Sequence, residues 1–309
     1  MSFNSKFSII YSEKFLDHNT GLNHPEKPER LKKIVSHLKN SSINNKLIWI
    51  HPQKINIHEL EKIHTKTHIN YISNICKTGG GYLDSDTPVC SESFEIGLLS
   101  AGAWQNGLTE VLNGNPSFVL SRPPGHHAER NKAMGFCLFS NAALSAVLAL
   151  RNPNIKKVAI FDWDVHHGNG TENIVKSNPN ILYTSIHQYP FYPGTGFENE
   201  TGIANNVLNI PLPSGTNWNN YKVAFHNSII PQIKNFNPDL IIVSAGFDAH
   251  KNDPLAGFNL SSKNFGAMTT NLLRIQSKIL FGLEGGYDLN VLAESVEIVI
   301  KKNIEFAGI

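Results

Sequence analysis

The run KVAIFDWDVHHGNG, residues 157–170, joins an unbroken apolar stretch to two aspartates, two histidines and two glycines. Its first half predicts a strand buried on both faces, the pattern of a parallel sheet. Ionisable groups leave water only at high cost, so a polar cluster at the end of a buried strand needs a purpose. In α/β sheets that place, outside the C-terminal ends of the strands, is where ligands sit.

The same pattern recurs along the chain. Apolar, β-branched runs at 7–11, 117–122, 180–187, 240–248 and 278–287 alternate with amphipathic stretches. Trp218, Tyr221, Phe225, Ile229, Ile233 and Phe236 recur at helical spacing, and Pro231 is expected to kink that helix. Phe265, Met268, Leu272 and Ile275 form a second stripe, and Leu289, Leu292, Val296 and Ile300 a third; all are read as core-packing faces. Another helix is expected over 91–113, stopping at Asn113-Gly114. The alternation predicts one α/β domain over residues 1–309, with helices on both faces of its sheet. Polar residues then gather at four strand ends: Arg122 to His127, Asp162 to His167, Asp248 and Tyr287. Solvation alone does not produce such convergence.

Composition excludes several classes of function. With 27 basic and 25 acidic residues among 309, the net charge of +2 is too balanced to indicate nucleic acid or an anionic membrane as partner. Cys76, Cys90 and Cys137 stand far apart without a CxxC pair, which argues against a thiolate zinc site or a disulfide scaffold and suits a reducing compartment. The N-terminus MSFNSKFSII carries no long apolar segment, and AALSAVLAL at 142–150 is too short to span a bilayer. A cytoplasmic protein is expected, and the compact architecture suggests a bacterial source.

Asp164 and His166 are one residue apart, so on a strand both side chains face the same way. With Asp248, at the end of another strand, they make a ligand set of two carboxylates and one imidazole. That set suits Zn²⁺, or Fe²⁺ or Mn²⁺, with a position open to water and substrate. Alone, a DxH pair is more simply a helix cap and a satisfied core histidine; the neighbouring motifs reverse that weighting. His126-His127 follow Arg122-Pro123-Pro124-Gly125, a stiffened loop, and beside a metal they suit proton transfer near neutral pH. Asp162 and Asn169, flanking the metal motif, are candidates to fix the histidine tautomers.

RPPGHHA, DWDVHHGNGT, SAGFDAH with DPLAG, and LEGGYDL, in this order, resemble the zinc-dependent histone deacetylase superfamily, which includes bacterial histone-deacetylase-like amidohydrolases and acetylpolyamine amidohydrolases. The resemblance runs from HPEKPER at 24–30 to LEGGYDL at 283–289. It implies an arginase/deacetylase fold, a central, mostly parallel sheet of about eight strands between helical layers. It further implies Asp164, His166 and Asp248 as zinc ligands, and His126 and His127 as the tandem histidines, with Asp162 paired to the first and Asn169 facing the second. Many family members carry aspartate at the last position; asparagine resembles the class II branch and leaves His127 the better-placed neutral base. Tyr287 matches the tyrosine that hydrogen-bonds the acyl oxygen. His167 receives no metal or catalytic role and is expected as a packed, hydrogen-bonded support.

The resemblance also implies a substrate channel. Phe136 matches one aromatic wall, Tyr192 stands where phenylalanine is usual on the other, and Gly135 and Gly285 belong to the substrate-binding surface. Asp86 matches the rim carboxylate that holds substrate backbone amides, with Asp84 the alternative if the register shifts. Leu255 falls where polyamine-specific relatives can carry an acidic residue, which disfavours polyamines. A structural K⁺ is implied at Asp162, Asp164, His166, Ser185 and Ile186, mostly through carbonyls. His24 and Arg30 fall in a segment lining the inner end of the pocket; for Arg30 a structural or product-exit role competes with a surface salt bridge.

The implied function is metal-assisted hydrolysis of linear amides, removing acyl groups from lysine side chains of proteins or peptides. The nearest alternative keeps the chemistry on acetylpolyamines or other small acylated amines. An arginase-like dinuclear manganese hydrolase and a non-catalytic acyl-lysine-binding scaffold are the rivals from further afield. A homo-oligomer stays open.

Overall fold

In the computed structural model, which describes residues 6–309, the buried apolar runs pair into one eight-stranded sheet. Its strands are β1 (Phe7–Ile10), β2 (Leu47–Ile50), β5 (Ser117–Val119), β6 (Val158–Asp162), β7 (Ile181–Gln188), β8 (Val207–Leu212), β9 (Leu240–Ala245) and β10 (Ile279–Leu283). The order is β2-β1-β5-β10-β9-β6-β7-β8, and every pairing is parallel. A separate antiparallel hairpin joins β3 (Gly80–Tyr82) to β4 (Pro88–Cys90). Every residue of β5, β6, β9 and β10 is buried, which is why these segments read as unbroken apolar runs.

Helix Ser93–Leu112 packs across β1, β5 and β10, and Asn141–Ala149 across β6 and β9. Helix Leu289–Ala307 packs with Ser262–Leu273 and Glu29–Lys39. The fold is that of a single α/β domain whose parallel sheet is flanked by helices. The stripe at 265–275 is buried at Phe265, Met268 and Leu272, and the last stripe at Leu292, Val296 and Ile300. Asp288 starts the last helix, its side chain accepting from the N–H groups of Asn290 and Val291.

Among the elements of the fold, the sequence expectations differ from the structure in three respects. The edge strands β2 and β8 and the small hairpin fall outside the predicted runs; β2 is a short apolar run, LIWI, buried only at Leu47, and β8 is buried only at alternate positions near its start. The predicted runs at 117–122, 157–164, 240–248 and 278–287 overshoot the ladder at their C-terminal ends, because the loops that follow are buried as deeply as the strands. Pro231 does not simply kink its helix. A π-helical turn, Phe225–Ile229, intervenes, and Pro231 lies in the first turn of Ile230–Phe236, where its missing N–H is least needed.

Candidate active site

Four strands that are neighbours at the centre of the sheet, β5-β10-β9-β6, deliver their C-terminal ends to one place. From β6 the ladder stops at Asp162, so Asp164 and His166 stand in the following loop and not on a strand as the sequence pattern predicts. Alternation nevertheless persists. Trp163 and Val165 are buried in the core while Asp164 and His166 turn to the opposite side. Carboxylates hold the loop: Asp164 N–H donates to Asp162 Oδ1 (3.2 Å), His166 N–H to Asp164 Oδ1 (2.9 Å) and Val165 N–H to Oδ1 of Asp248, after β9 (2.9 Å).

Asp164, His166 and Asp248 bring one ligand atom each to within 4.8 Å of one another. His166 Nδ1 lies 3.0 Å from Asp164 Oδ1 and 3.3 Å from Asp248 Oδ2. Asp248 Oδ2 is buried without a hydrogen-bond partner. Two buried carboxylates around one imidazole, with an oxygen left over, form a donor set that a divalent cation satisfies. Burial opposes protonation of His166, yet the adjacent carboxylates of Asp164 and Asp248 raise its pKa to about 10, a measure of how much negative charge the trio concentrates. The backbone makes room for this. Gly285 N–H donates to Asp164 Oδ2 (2.9 Å), and a Cβ there would fall 2.6 Å from that oxygen and closer still to Asp248 Oδ2. Gly285, expected on the substrate side, is buried against the carboxylates, where only a residue without a side chain fits.

His126 and His127 lie beside the trio with ring centroids 3.9 Å apart. His126 Nδ1 donates to Asp162 Oδ2 (3.1 Å), and His127 Nδ1 to Asn169 Oδ1 (2.8 Å). Asn169 is oriented in turn by its amide nitrogen, which donates to Glu129 Oε1 (2.9 Å). Burial opposes charge on both rings, but the outcomes diverge. The carboxylates of Asp164 and Asp162 overcome burial at His126 and lift its pKa well above the usual value. At His127, burial together with the charges of His126 and His166 drives it well below. With Nδ1–H committed to Asn169, neutral His127 keeps its lone pair on Nε2.

A cavity of about 220 Å³ opens onto these groups, lined by Asp86, His127, Gly135, Phe136, His166, Tyr192, Leu255 and Tyr287. Phe136 sits edge-on to the Tyr287 ring (6.1 Å) and to His24 (4.6 Å), and Tyr192 edge-on to His127 (5.1 Å). Gly135, at φ +55°, passes so close to His127 that a Cβ would come within 2.8 Å of its Cγ. Burial pushes the Tyr287 phenol well above its usual pKa, so it stays protonated. Asp86 is the acid that reaches the cavity; Asp84 instead accepts Asp86 N–H (3.1 Å). Ser185 and Ile186 are buried on β7, with Asp162 in register opposite Ser185. His167 is packed and bonded to Thr195 (2.8 Å) and Glu172 (2.9 Å).

Arg30 is not a surface salt bridge. It is fully buried, donating to Gly286 O (2.7 Å), Glu284 O and Glu26 Oε1 (3.1 Å), with its guanidinium 5.1 Å from the Tyr287 ring centre. Glu26 also binds Arg122, whose charge, against burial, holds its carboxyl at about 2. Other supports received no role from the sequence. Glu284 accepts from the N–H groups of Gly125 (2.7 Å) and His126 (3.2 Å), and burial raises its pKa to about 7. Phe191 stacks on the His166 ring at 5.1 Å.

Comparison with known proteins places the chain in a well-populated group. The family model described as "Histone deacetylase domain" matches residues 24–303. An uncharacterized protein of Synechocystis sp. is 46% identical over 298 residues, covering 95% of this chain and 98% of its own. Histone deacetylase 5 of Arabidopsis thaliana is 35% identical over 94% of this chain and 48% of its own length, so the chain spans about half of that relative. The crystal structure of the HDA15 HD domain aligns with a TM-score of 0.93 at 35% identity, covering 98% of this chain and 90% of that one.

Proposed function

The chain belongs to the histone deacetylase family, and on that premise we propose that it is a zinc-dependent amidohydrolase that removes acetyl or other acyl groups from lysine side chains. The observation that carries this reading is the shared cavity. His166, whose ring nitrogen clusters with Asp164 and Asp248, lines it together with His127, the Tyr287 phenol and two aromatic walls. An aliphatic lysine stem suits the faces of Phe136 and Tyr192, and its amide reaches the polar end. Asp86, which also lines the cavity, would accept from substrate backbone amides.

Asp164, His166 and Asp248 would hold the metal, which supplies Lewis acidity and a bound water of lowered pKa. Neutral His127 takes the proton of the attacking water on Nε2 and returns it to the leaving amine. Cationic His126, fixed by Asp162, stabilises developing negative charge without itself giving up a proton. The Tyr287 phenol donates a hydrogen bond to the acyl oxygen, an interaction that strengthens as that oxygen becomes anionic. Asp162, Asp164, His166, Ser185 and Ile186 are the proposed K⁺ site behind this centre.

Turnover of acetyl-lysine peptides, longer acyl-lysine peptides and acetylpolyamines after reconstitution with Zn²⁺, Fe²⁺ or Mn²⁺ tests the reading. Peptide deacetylation with Zn²⁺, abolished by Asp248→Ala, is the expected result. Preference for acetylpolyamines would move the substrate class to small acylated amines, and binding without hydrolysis would make the protein a scaffold.

A further inference from the structure

Asp253 is a buried carboxylate that forms no ion pair among the described residues. Burying a charge without a counter-charge is costly, so the position needs a reason. Both of its oxygens are used by backbone donors from two different loops. Oδ1 accepts the N–H of Leu255 at 2.9 Å, and Oδ2 accepts the N–H of Tyr287 at 2.7 Å. Leu255 follows β9, Tyr287 follows β10, and both line the cavity. The Asp253 backbone is itself fixed, its N–H donating to His250 O at 2.8 Å.

The chemistry of the side chain matters as much as its place. An amide of the same shape has one acceptor, so its NH₂ would face one of the two N–H donors. The tyrosine it holds follows Gly285-Gly286, the second at φ +117°, a pair with little conformational preference of its own. Arg30 fastens the carbonyl side of this loop through Glu284 and Gly286. Asp253 fastens the N–H of Tyr287 from the opposite loop.

We propose that Asp253 is a positioning residue that locks Tyr287 to the cavity wall at Leu255 and so sets where the phenol meets the acyl oxygen. The proposal rests on the deacylase reading of Tyr287. Misplacing a catalytic group by about 1 Å costs up to roughly 10²-fold in rate.

The test is a double-variant cycle on an acetyl-lysine peptide: the unmodified protein, Asp253→Asn, Tyr287→Phe and both together. Asp253→Asn is expected to lower kcat by roughly 10- to 100-fold with KM within about 3-fold. In the Tyr287→Phe background the same change should cost less than about 2-fold, since the phenol it positions is gone. Equal losses in both backgrounds, or no loss in either, would overturn the proposal. A second readout needs no activity. In metal-free protein, hydrogen–deuterium exchange of the 285–289 backbone should accelerate in Asp253→Asn, and unchanged exchange would refute the clamp. If Asp253→Asn does not fold, Asp253→Ser, which keeps one acceptor, enters the same cycle. Full activity of Tyr287→Phe alone would sink the deacylase reading of the phenol, and exchange would then decide the clamp by itself.

Discussion

Adding one methyl group at Gly285 should separate metal binding from folding. A Cβ there would lie 2.6 Å from Asp164 Oδ2 and nearer still to Asp248 Oδ2. Reaching ordinary van der Waals separation requires Asp164 or the loop to retreat by about 0.8 Å, and Asp248 by more. Ligand distances in metal sites hold to about 0.2 Å, so a shift several times larger disrupts the set. Gly285→Ala is therefore expected to weaken Zn²⁺ affinity by at least ~10- to 100-fold, the range seen when groups that merely orient ligands are lost. The stability cost of such overpacking is about 1–3 kcal/mol, which a domain of this size tolerates. Competition of Zn²⁺ with a chelator measures the affinity, and thermal unfolding of the metal-free protein measures the cost. Gly81→Ala is the control, because a Cβ there meets only Ile75 Cγ2 at 3.5 Å, an ordinary contact. Unchanged Zn²⁺ affinity in Gly285→Ala would refute the assignment of Asp164 and Asp248 as ligands.

Three further expectations follow from the same geometry. Asn169→Asp places a carboxylate on His127 Nδ1 and should raise that imidazole's pKa by about 1–3 units; because the neutral form is the base, the acidic limb of the kcat/KM profile should move to higher pH, and an unmoved limb would count against His127 as the base. Burial holds His18, His64 and His187 at about 3 in the folded state, against an ordinary 6.5. Below pH 6.5 the unfolded chain takes up protons these native histidines refuse, so each makes stability fall as pH drops from 6.5 towards 3, by up to about 1.4 kcal/mol per pH unit. Glu284 and Asp253, whose carboxyls burial holds at about 7, oppose this between about pH 7 and 4.5. Proton NMR titration of the three imidazoles is therefore the check, and protonation near 6.5 in the folded protein would contradict the assignment. Leu255→Glu puts a carboxylate on the cavity wall and should shift turnover towards acetylpolyamines relative to neutral peptides by roughly 10-fold, about one favourable charge pair's worth; an unchanged ratio in the substrate panel would remove position 255 from selectivity.

The strands that hold the site were legible because they are buried on both faces, and burial writes itself into sequence as unbroken apolar runs. Val207–Leu212 was not, since it is only partly covered and contains Pro211, and Leu47–Ile50, though apolar throughout, is a short edge run that is mostly uncovered. Motif residues such as Asp164, His166, His126 and Tyr287 announce themselves by clustering with other polar groups. Glu284, Asp253 and Glu26 also stand inside the quoted motifs, yet their roles exist only through partners far along the chain, such as Gly125, Tyr287 and Arg122, which no local pattern names.

By itself the sequence determined the composition of the site: which side chains stand at which strand ends, and the chemistry they offer together. Only the tertiary structure decided that the four strands carrying them are consecutive neighbours at the sheet's centre, though they are the fifth, tenth, ninth and sixth in the chain. Strand order is set by how helical connections pack across both faces, and no local pattern encodes it. That order brings Asp164, His166 and Asp248 within reach of one ion, seats Gly285 against them, and ties Tyr287 to Asp253.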